Sequence, residues 1–408
     1  MKDTGRYLRH ALLLAMVLGL CAYSLLFIYS TGFIGDEYPV RLNWQKQATF
    51  FCIGFFAIMP AAYFLCRSWL RQWFIYASYV ISIISLLLVL LFGQKTGGAT
   101  RWLPIGPFLF QPAEFAKTFT VLAAGTILAE CKGGKFKGIL LATALIMPPF
   151  VLILVEPSYG NAFSLLPPCI VMCIMHLPGR KLFKCLVFST LALLVLWGSC
   201  ILWLRTEQGG AQANKILAML LQDKHFLRDY HVKRIKGYLD KTGGWNERQS
   251  MLTISSGGPS GKGYLQGTMK ELGYLPRTVA PTDFIFAVIC EELGFFYGAA
   301  PLLLLYAVML GLLLYNGALQ NNEANLLANA GIATLLFTHV AINIAMTMRL
   351  LPIIGLPLPL LSYGGSYALA VFLGLGAALP GEDDSTEEYP RSSFKFQLGK
   401  FIRIAINE

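Results

Sequence analysis

Charge is scarce in this chain. Only 13% of its 408 residues are Asp, Glu, Lys or Arg, against 56% hydrophobic residues, and the mean hydropathy is +0.58. That balance argues against a soluble globule, whose surface needs about twice the charge. Cysteine is missing from the polar stretches. All nine (Cys21, Cys52, Cys66, Cys131, Cys169, Cys173, Cys185, Cys200, Cys290) lie in or beside apolar runs, so no disulfide framework is implied in an exposed loop. No CxxC pair occurs, and Cys169 and Cys173 stand at helical spacing, as packing residues do. The five histidines form no zinc pattern, and no dedicated metal site is expected. A Walker loop is absent as well. In Ser255-Ser256-Gly257-Gly258-Pro259-Ser260-Gly261-Lys262-Gly263, Ser256 stands where the first Gly is required and Gly263 where Ser or Thr is required. The first apolar run is too long, and too weakly followed by a small-residue cleavage site, for a removable signal peptide. It is expected to be a resident helix.

What is present is hydrocarbon-compatible sequence. About twenty apolar residues cross a bilayer as a helix. Such stretches occur near 10–31, 48–66, 74–93, 113–131, 138–155, 162–178, 184–204, 284–314, 325–347 and 358–380. Runs this long are helices, because lipid leaves no other way to satisfy their backbone. The expected fold is therefore all-α: one polytopic membrane domain, 1–408, of about ten transmembrane helices, with one large polar loop at 205–283 and a tail at 381–408. With the N-terminus inside, fifteen Lys and Arg fall in inner segments against five in the short outer loops. This bias puts both termini in the cytoplasm and 205–283 outside. The net charge of +11 is partly this topology signal, so nucleic acid is not needed to explain it. The outer loop still carries twelve Lys/Arg against seven Asp/Glu. Its excess suits either an anionic headgroup or diphosphate, or simple solvation.

Ionisable residues inside apolar spans are costly and tend to mark function. In Gln111-Pro112-Ala113-Glu114-Phe115-Ala116-Lys117, Pro112 can start a helix. Glu114 and Lys117, three apart, can then pair, either as a structural lock or as the lining of a cavity. Asp283 ends the polar loop where apolar sequence resumes. It can serve as a helix N-cap or as a reactive acid. Glu291 then falls about two turns along the same side, with Glu292 opposite. A glycine nest at 257–263 with Lys262 could hold a diphosphate, or be a flexible turn. Arg349 precedes a Gly- and Pro-dense stretch, Leu350 to Ser366. That stretch reads as a re-entrant pocket wall or as an outer loop entering a kinked helix.

Together these blocks resemble the SEDS family of RodA, FtsW and SpoVE peptidoglycan glycosyltransferases over essentially the whole chain. The resemblance is carried by Gly98-Ala99-Thr100-Arg101-Trp102, the Gln111–Lys117 block, and Gln249-Ser250 through Gly263. It continues in Thr282-Asp283-Phe284-Ile285-Phe286-Ala287 with Glu291-Glu292-Leu293-Gly294, and in Pro357-Leu358-Pro359 to Ser362-Tyr363-Gly364-Gly365-Ser366. The stretch from Asn343 to Ser366 looks more like RodA than FtsW. The resemblance implies polymerisation of lipid II, the undecaprenyl-diphosphate-linked disaccharide-pentapeptide, for cell elongation at the bacterial cytoplasmic membrane. It makes Asp283 the essential acid, and the one in-line displacement of an inverting transfer would give that acid the role of general base. It places Glu114, Lys117, Arg101, Lys262, Gln249, Ser250, Arg349 and Ser362 as substrate-binding residues. It also implies a class B penicillin-binding protein as partner. No motif requires a cofactor, though Mg2+ or Mn2+ could screen the diphosphate. A lipid II flippase or an FtsW-like division enzyme are the alternatives. One block departs from the family. Its Pro-Asp-Leu-Gly-Thr reads Pro157-Ser158-Tyr159-Gly160-Asn161 here, so its acid is missing, and Glu156 is expected to compensate.

Overall fold

The computed structural model describes residues 2–32, 43–66, 70–96, 99–106, 108–131, 134–177, 244–276, 278–320 and 322–379. The expected span at 184–204, the first half of the polar loop (205–243) and the tail at 381–408 lie outside the described residues. Among the described residues, seven helical stretches are long and apolar enough to cross a membrane: Tyr7–Thr31, Asn43–Leu65, Arg71–Phe92, Lys135–Val155, Tyr159–His176, Ile285–Leu319 and Glu323–Thr347. The protein is thus a helical integral membrane protein.

In chain order the helices are α1 (Lys2–Thr31), α2 (Asn43–Ile53), α3 (Met59–Leu65), α4 (Arg71–Phe92), α5 (Pro112–Glu130), α6 (Lys135–Val155), α7 (Tyr159–Ser164) and α8 (Leu166–His176). There follow α9 (Trp245–Gly257), α10 (Thr268–Glu271), α11 (Ile285–Gly294), α12 (Ala300–Leu319), α13 (Glu323–Thr347) and α14 (Gly365–Ala378). Single π-helical turns, Gly54–Ile58 and Phe295–Ala299, join α2 to α3 and α11 to α12. Pro112 opens α5 after the extended Gln111, where a missing N–H costs nothing.

One element departs from an all-helical reading. Between α4 and α5 the chain forms a small antiparallel sheet, β1 (Gln94–Thr96), β2 (Ala99–Ile105) and β3 (Phe108–Phe110), in the order β1-β2-β3. Its Thr, Trp, Ile and Phe residues favour strands, and Gly106, at φ +57°, supplies the second turn.

Helix α5 is the hub. It packs against α4, α6, α8, α13 and α14. Buried on nearly every side, it carries the polar residues a lipid-facing helix could not, including Glu114, Lys117 and Thr120. The outer helices show lipid their large apolar side chains instead, such as Leu18, Phe56, Ile81, Leu91 and Leu140.

The second half of the polar loop is not a solvated excursion. Helix α9 packs on α11 and touches α13. Its polar residues Glu247, Gln249, Ser250 and Thr253 are buried, while Trp245, Met251 and Leu252 are exposed. Its buried face is the polar one, so composition alone hid the packing.

The last apolar stretch is broken as its Gly and Pro content suggests. Arg349 ends α13 in a left-handed conformation, φ +56°, and no helix resumes before Gly365. The intervening segment is half-buried at its ends and buried at its centre, with Leu356, Leu358, Leu360 and Leu361 at the core. Its carbonyls are satisfied by side chains from four helices. Asn343 Nδ2 donates to Leu356 O at 2.7 Å, Tyr306 Oη to Pro359 O at 2.6 Å, Ser24 Oγ to Leu361 O at 2.7 Å and Gln47 Nε2 to Ser362 O at 3.4 Å. Non-helical backbone is tolerated at membrane depth only when protein covers it in this way.

Candidate active site

Asp283 lies in a turn spanning 278–284, half-buried, one residue before the N-cap of α11. The cap is Phe284, without a side-chain capping bond. The N-cap role considered for Asp283 is therefore taken by its neighbour. What fixes the aspartate is its backbone. The carbonyls of Pro281, Thr282 and Asp283 accept in succession from Tyr363 N (2.8 Å), Ser362 Oγ and Asn343 Nδ2 (3.1 Å). Ser362 Oγ also accepts from Leu358 N at 2.8 Å. Its hydroxyl thus fastens the broken segment to the aspartate turn, and that is the contact the structure gives this residue.

Glu114 and Lys117 pair as their spacing predicts, with Oε2 and Nζ 2.8 Å apart and only 2% and 1% exposed. Two further groups surround the ammonium. Lys117 Nζ donates to Asn161 Oδ1 at 2.7 Å and lies 3.0 Å from His339 Nε2. The other imidazole nitrogen, Nδ1, lies 3.4 Å from the Pro357 carbonyl, which can only accept. The ring proton therefore sits on Nδ1, leaving the Nε2 lone pair for Lys117. The His339 ring stacks on Tyr367, with centroids 4.9 Å apart and an interplanar angle of 15°. Glu114, Lys117, His339 and Tyr367 line one cavity with Thr118 and Leu336. Neither Asn161 nor His339 was singled out by sequence, and Asn343 only marked the edge of a motif. The usable signal was a His and an Asn four apart in the apolar span of α13, on one helical face.

Glu156 does not stand beside this cage. It follows α6, outside the spanning helices, with its carboxyl fully buried. Neither carboxylate oxygen finds a hydrogen-bond partner among the described residues. Burial pushes its pKa up to about 8, although nearby Arg101 pulls the other way. Arg101 Nη2 donates to the Pro157 carbonyl next door. The expected compensation for the missing acid is thus corrected: Asn161, not Glu156, meets Lys117.

The glycine-rich loop is also different from an open nest. Lys262 N and Gly263 N donate to the carbonyls of Glu291 (3.0 Å) and Glu292 (2.8 Å). A Cβ at Gly257 would lie 1.9 Å from Cys290 O, and one at Gly261 2.3 Å from Glu292 O. The glycines let two backbones touch. Lys262 Nζ is held by Glu291 Oε1 at 2.7 Å and by Thr268 Oγ1 at 2.7 Å, so its charge is already neutralised within the fold. Beside it, fully buried Lys270 pairs with Glu292 and with Ser30 of α1. Gly294 ends α11 at φ +69° against the backbone of Ser260 and Gly261, a conformation that suits glycine. Ser250 Oγ donates to Thr347 O at 2.9 Å, tying α9 to the end of α13, and Gln249 is buried beside it. Arg349, half-buried, follows that same end.

Residues 10–379 match the family described as cell cycle protein, FtsW/RodA/SpoVE. The chain is 29% identical to the peptidoglycan glycosyltransferase RodA of Treponema pallidum, covering 90% of this chain and 95% of that one. It is 30% identical to the peptidoglycan glycosyltransferase MrdB of Escherichia coli, covering 90% and 91%. A chain in a solved peptidoglycan synthase complex, described for its structural coordination of polymerization and crosslinking, superposes with a TM-score of 0.63 at 25% identity over 90% of this chain and 95% of its own. With the clamped aspartate, the caged lysine and the broken segment in the order of the sequence blocks, this chain belongs to the FtsW/RodA/SpoVE family.

Proposed function

We propose that this protein polymerises lipid II into β-1,4 glycan strands at the outer face of the bacterial cytoplasmic membrane, with Asp283 as general base. Peptidoglycan glycosyltransferase activity of the elongation type comes to it through the family and its RodA and MrdB relatives. The observation that favours Asp283 is its clamp. Three successive carbonyls at 281–283 are held from two other elements, although the residue before a helix needs no such fixing.

The chemistry needs one base and several cations. The acceptor attacks the anomeric carbon of the lipid-linked donor, whose bond to the phosphate breaks; the lipid diphosphate departs, a good leaving group that requires charge stabilisation more than protonation. The acceptor is a sugar 4-hydroxyl, too weak an acid to react unassisted. Inversion from an α-linked donor to a β-linked product takes one in-line displacement, in which Asp283 receives the hydroxyl proton. Such a role contributes on the order of 10²–10⁴-fold. Arg101, Lys117 and Arg349 are the cations that would face the diphosphate. Lys262, like Lys117, is held by a carboxylate, Glu291, and stays a candidate of the same kind. Mg2+ or Mn2+ would screen the diphosphate when bound. Among the described residues no three His, Cys, Asp or Glu side chains are grouped to hold a metal, so the phosphates themselves would supply much of its coordination.

The Lys/Arg bias supports cytoplasmic termini and an outward Asp283. The solved synthase complex supports a crosslinking partner, a class B penicillin-binding protein. The test is lipid II polymerisation by the purified protein, alone and with that partner, beside Asp283→Asn. Asn keeps the shape and the turn but is no base at neutral pH, so glycan synthesis should vanish while the variant stays folded in detergent. Near-normal glycan synthesis by the variant ends the general-base role.

A further inference from the structure

The Lys117 ammonium is ion-paired with Glu114 at 2.8 Å, donates to Asn161 at 2.7 Å and lies 3.0 Å from His339 Nε2. Only Glu114 carries charge, because the imidazole turns its Nε2 lone pair to the ammonium and keeps its one proton on Nδ1 facing Pro357. Asn161 is itself held, its Nδ2 donating to Ser158 Oγ at 3.0 Å. Ser158 is 3% exposed and Asn161 4%, so this chain of contacts lies inside the protein. Ser158 stands where the motif's acid is missing, and its own side chain reaches the lysine only through Asn161.

We propose that Asn161, oriented by Ser158, is a positioning residue for Lys117 and supplies the acceptor that a carboxylate would otherwise provide. Three consequences follow from the chemistry. A buried ammonium with an unfilled donor direction would swing toward Glu114 alone or be drawn out of the cavity, and Asn161 prevents both. A neutral acceptor keeps the cage at zero net charge, one Glu against one Lys, so no surplus negative potential opposes an arriving diphosphate. A neutral acceptor also yields more easily than a carboxylate to a phosphate oxygen, because the ion pair with Glu114 survives the exchange. The serine hydroxyl completes the device. It accepts from the amide and so fixes which end of Asn161 faces the lysine. The inference rests on the glycosyltransferase reading, in which Lys117 serves the departing diphosphate.

The experiment compares Asn161→Leu, Asn161→Asp and Ser158→Ala by kcat and KM for lipid II polymerisation, using the full chain with its transpeptidase partner. Thermal unfolding of each variant in detergent is read in parallel, with Lys117→Met and the Lys117→Met, Asn161→Leu double variant. Asn161→Leu should lower kcat about tenfold or more, the scale of one hydrogen bond to a charged group, with KM within about twofold. Asn161→Asp keeps an acceptor oxygen but adds a charge that opposes the diphosphate, so it should recover only part of that loss, and Ser158→Ala should fall between wild type and Asn161→Leu. Asn161→Leu at wild-type kcat, or Asn161→Asp as impaired as Asn161→Leu, overturns the proposal. If the wild type polymerises nothing, the glycosyltransferase reading is what fails. The unfolding cycle then still decides the cage. Non-additive Tm shifts would show that Asn161 and Lys117 are coupled as the contact requires, and additive ones would remove the contact and end the positioning role.

Discussion

Removing one member of the Glu114–Lys117 pair is the sharpest perturbation this fold offers. The two charges are 2.8 Å apart and almost wholly enclosed, at 2% and 1% exposure. Lys117→Met keeps the length of the side chain but leaves a carboxylate in an apolar cavity, with Asn161 and His339 deprived of their shared donor. Breaking a buried pair in this way typically costs about 3–5 kcal/mol. Glu114→Gln keeps the shape and leaves an ammonium with two neutral acceptors, which cushions the loss toward the lower end of that range. The double variant removes both charges and should lose less than the sum, by a coupling of about 1–3 kcal/mol. Thermal or denaturant unfolding in detergent measures the stability cycle, and initial rates of lipid II polymerisation measure the functional one. Each single variant should lose most of its activity. Strictly additive effects in both cycles would show that the residues act independently and would refute the cage.

Three other outcomes are expected. Glu156→Gln should flatten the pH dependence of stability: the buried carboxyl keeps its proton up to about 8, whereas in the unfolded chain it ionises near 4.5. Because the unfolded state releases the proton first, wild-type stability falls between those two values and then levels off. The variant should therefore unfold later than wild type at pH 8 and alike near pH 4.5, and parallel Tm–pH curves would contradict the burial argument. Ser362→Ala unpairs Leu358 N–H and Thr282 C=O at once. Each buried group left unpaired costs about 1–3 kcal/mol, and activity should drop about tenfold in a protein that still folds. Unchanged kcat would mean that the aspartate turn does not depend on this clamp. For orientation, a single cysteine at Arg248 should react with an impermeant thiol reagent applied from outside, and one at Lys135 should not. The reverse pattern would invert the topology and carry Asp283 away from an extracytoplasmic substrate.

How much of this was legible in the sequence depends on which physical signal each residue carries. Long apolar runs fix helices because lipid offers the backbone no alternative, and the spans around α1, α4, α6 and α13 were found on that ground. Glu114 and Lys117 were visible because charges three apart in an apolar run have few reasons to exist other than each other. The break after Arg349 was visible because its glycines and prolines cannot continue a helix. The other features have no such one-dimensional mark. The partner of Lys262, Glu291, stands twenty-nine residues away, and nothing local announces that bond. The glycines at 257 and 261 looked like part of a phosphate nest, but with Gly294 they serve an approach of backbone to backbone. That distinction exists only in three dimensions.

The same reasoning explains why Glu156 looked like the substitute for the missing acid and Asn161 did not. Sequence ranks candidates by charge, and Glu156 is the only acid near the altered block. The fold ranks them by direction. Glu156 ends α6, where its carboxyl is buried beside Arg101, whereas Asn161 lies within α7, a turn that carries it toward α5 and Lys117. A helix places residues three apart on one face, so Ser158 at the cap of α7 and Asn161 one turn on meet side by side. A three-residue offset with a neutral side chain therefore reaches the lysine, and a nearer residue with the expected charge does not. Where a motif's acid is replaced, the acceptor is better sought one helical turn along than at the nearest carboxylate.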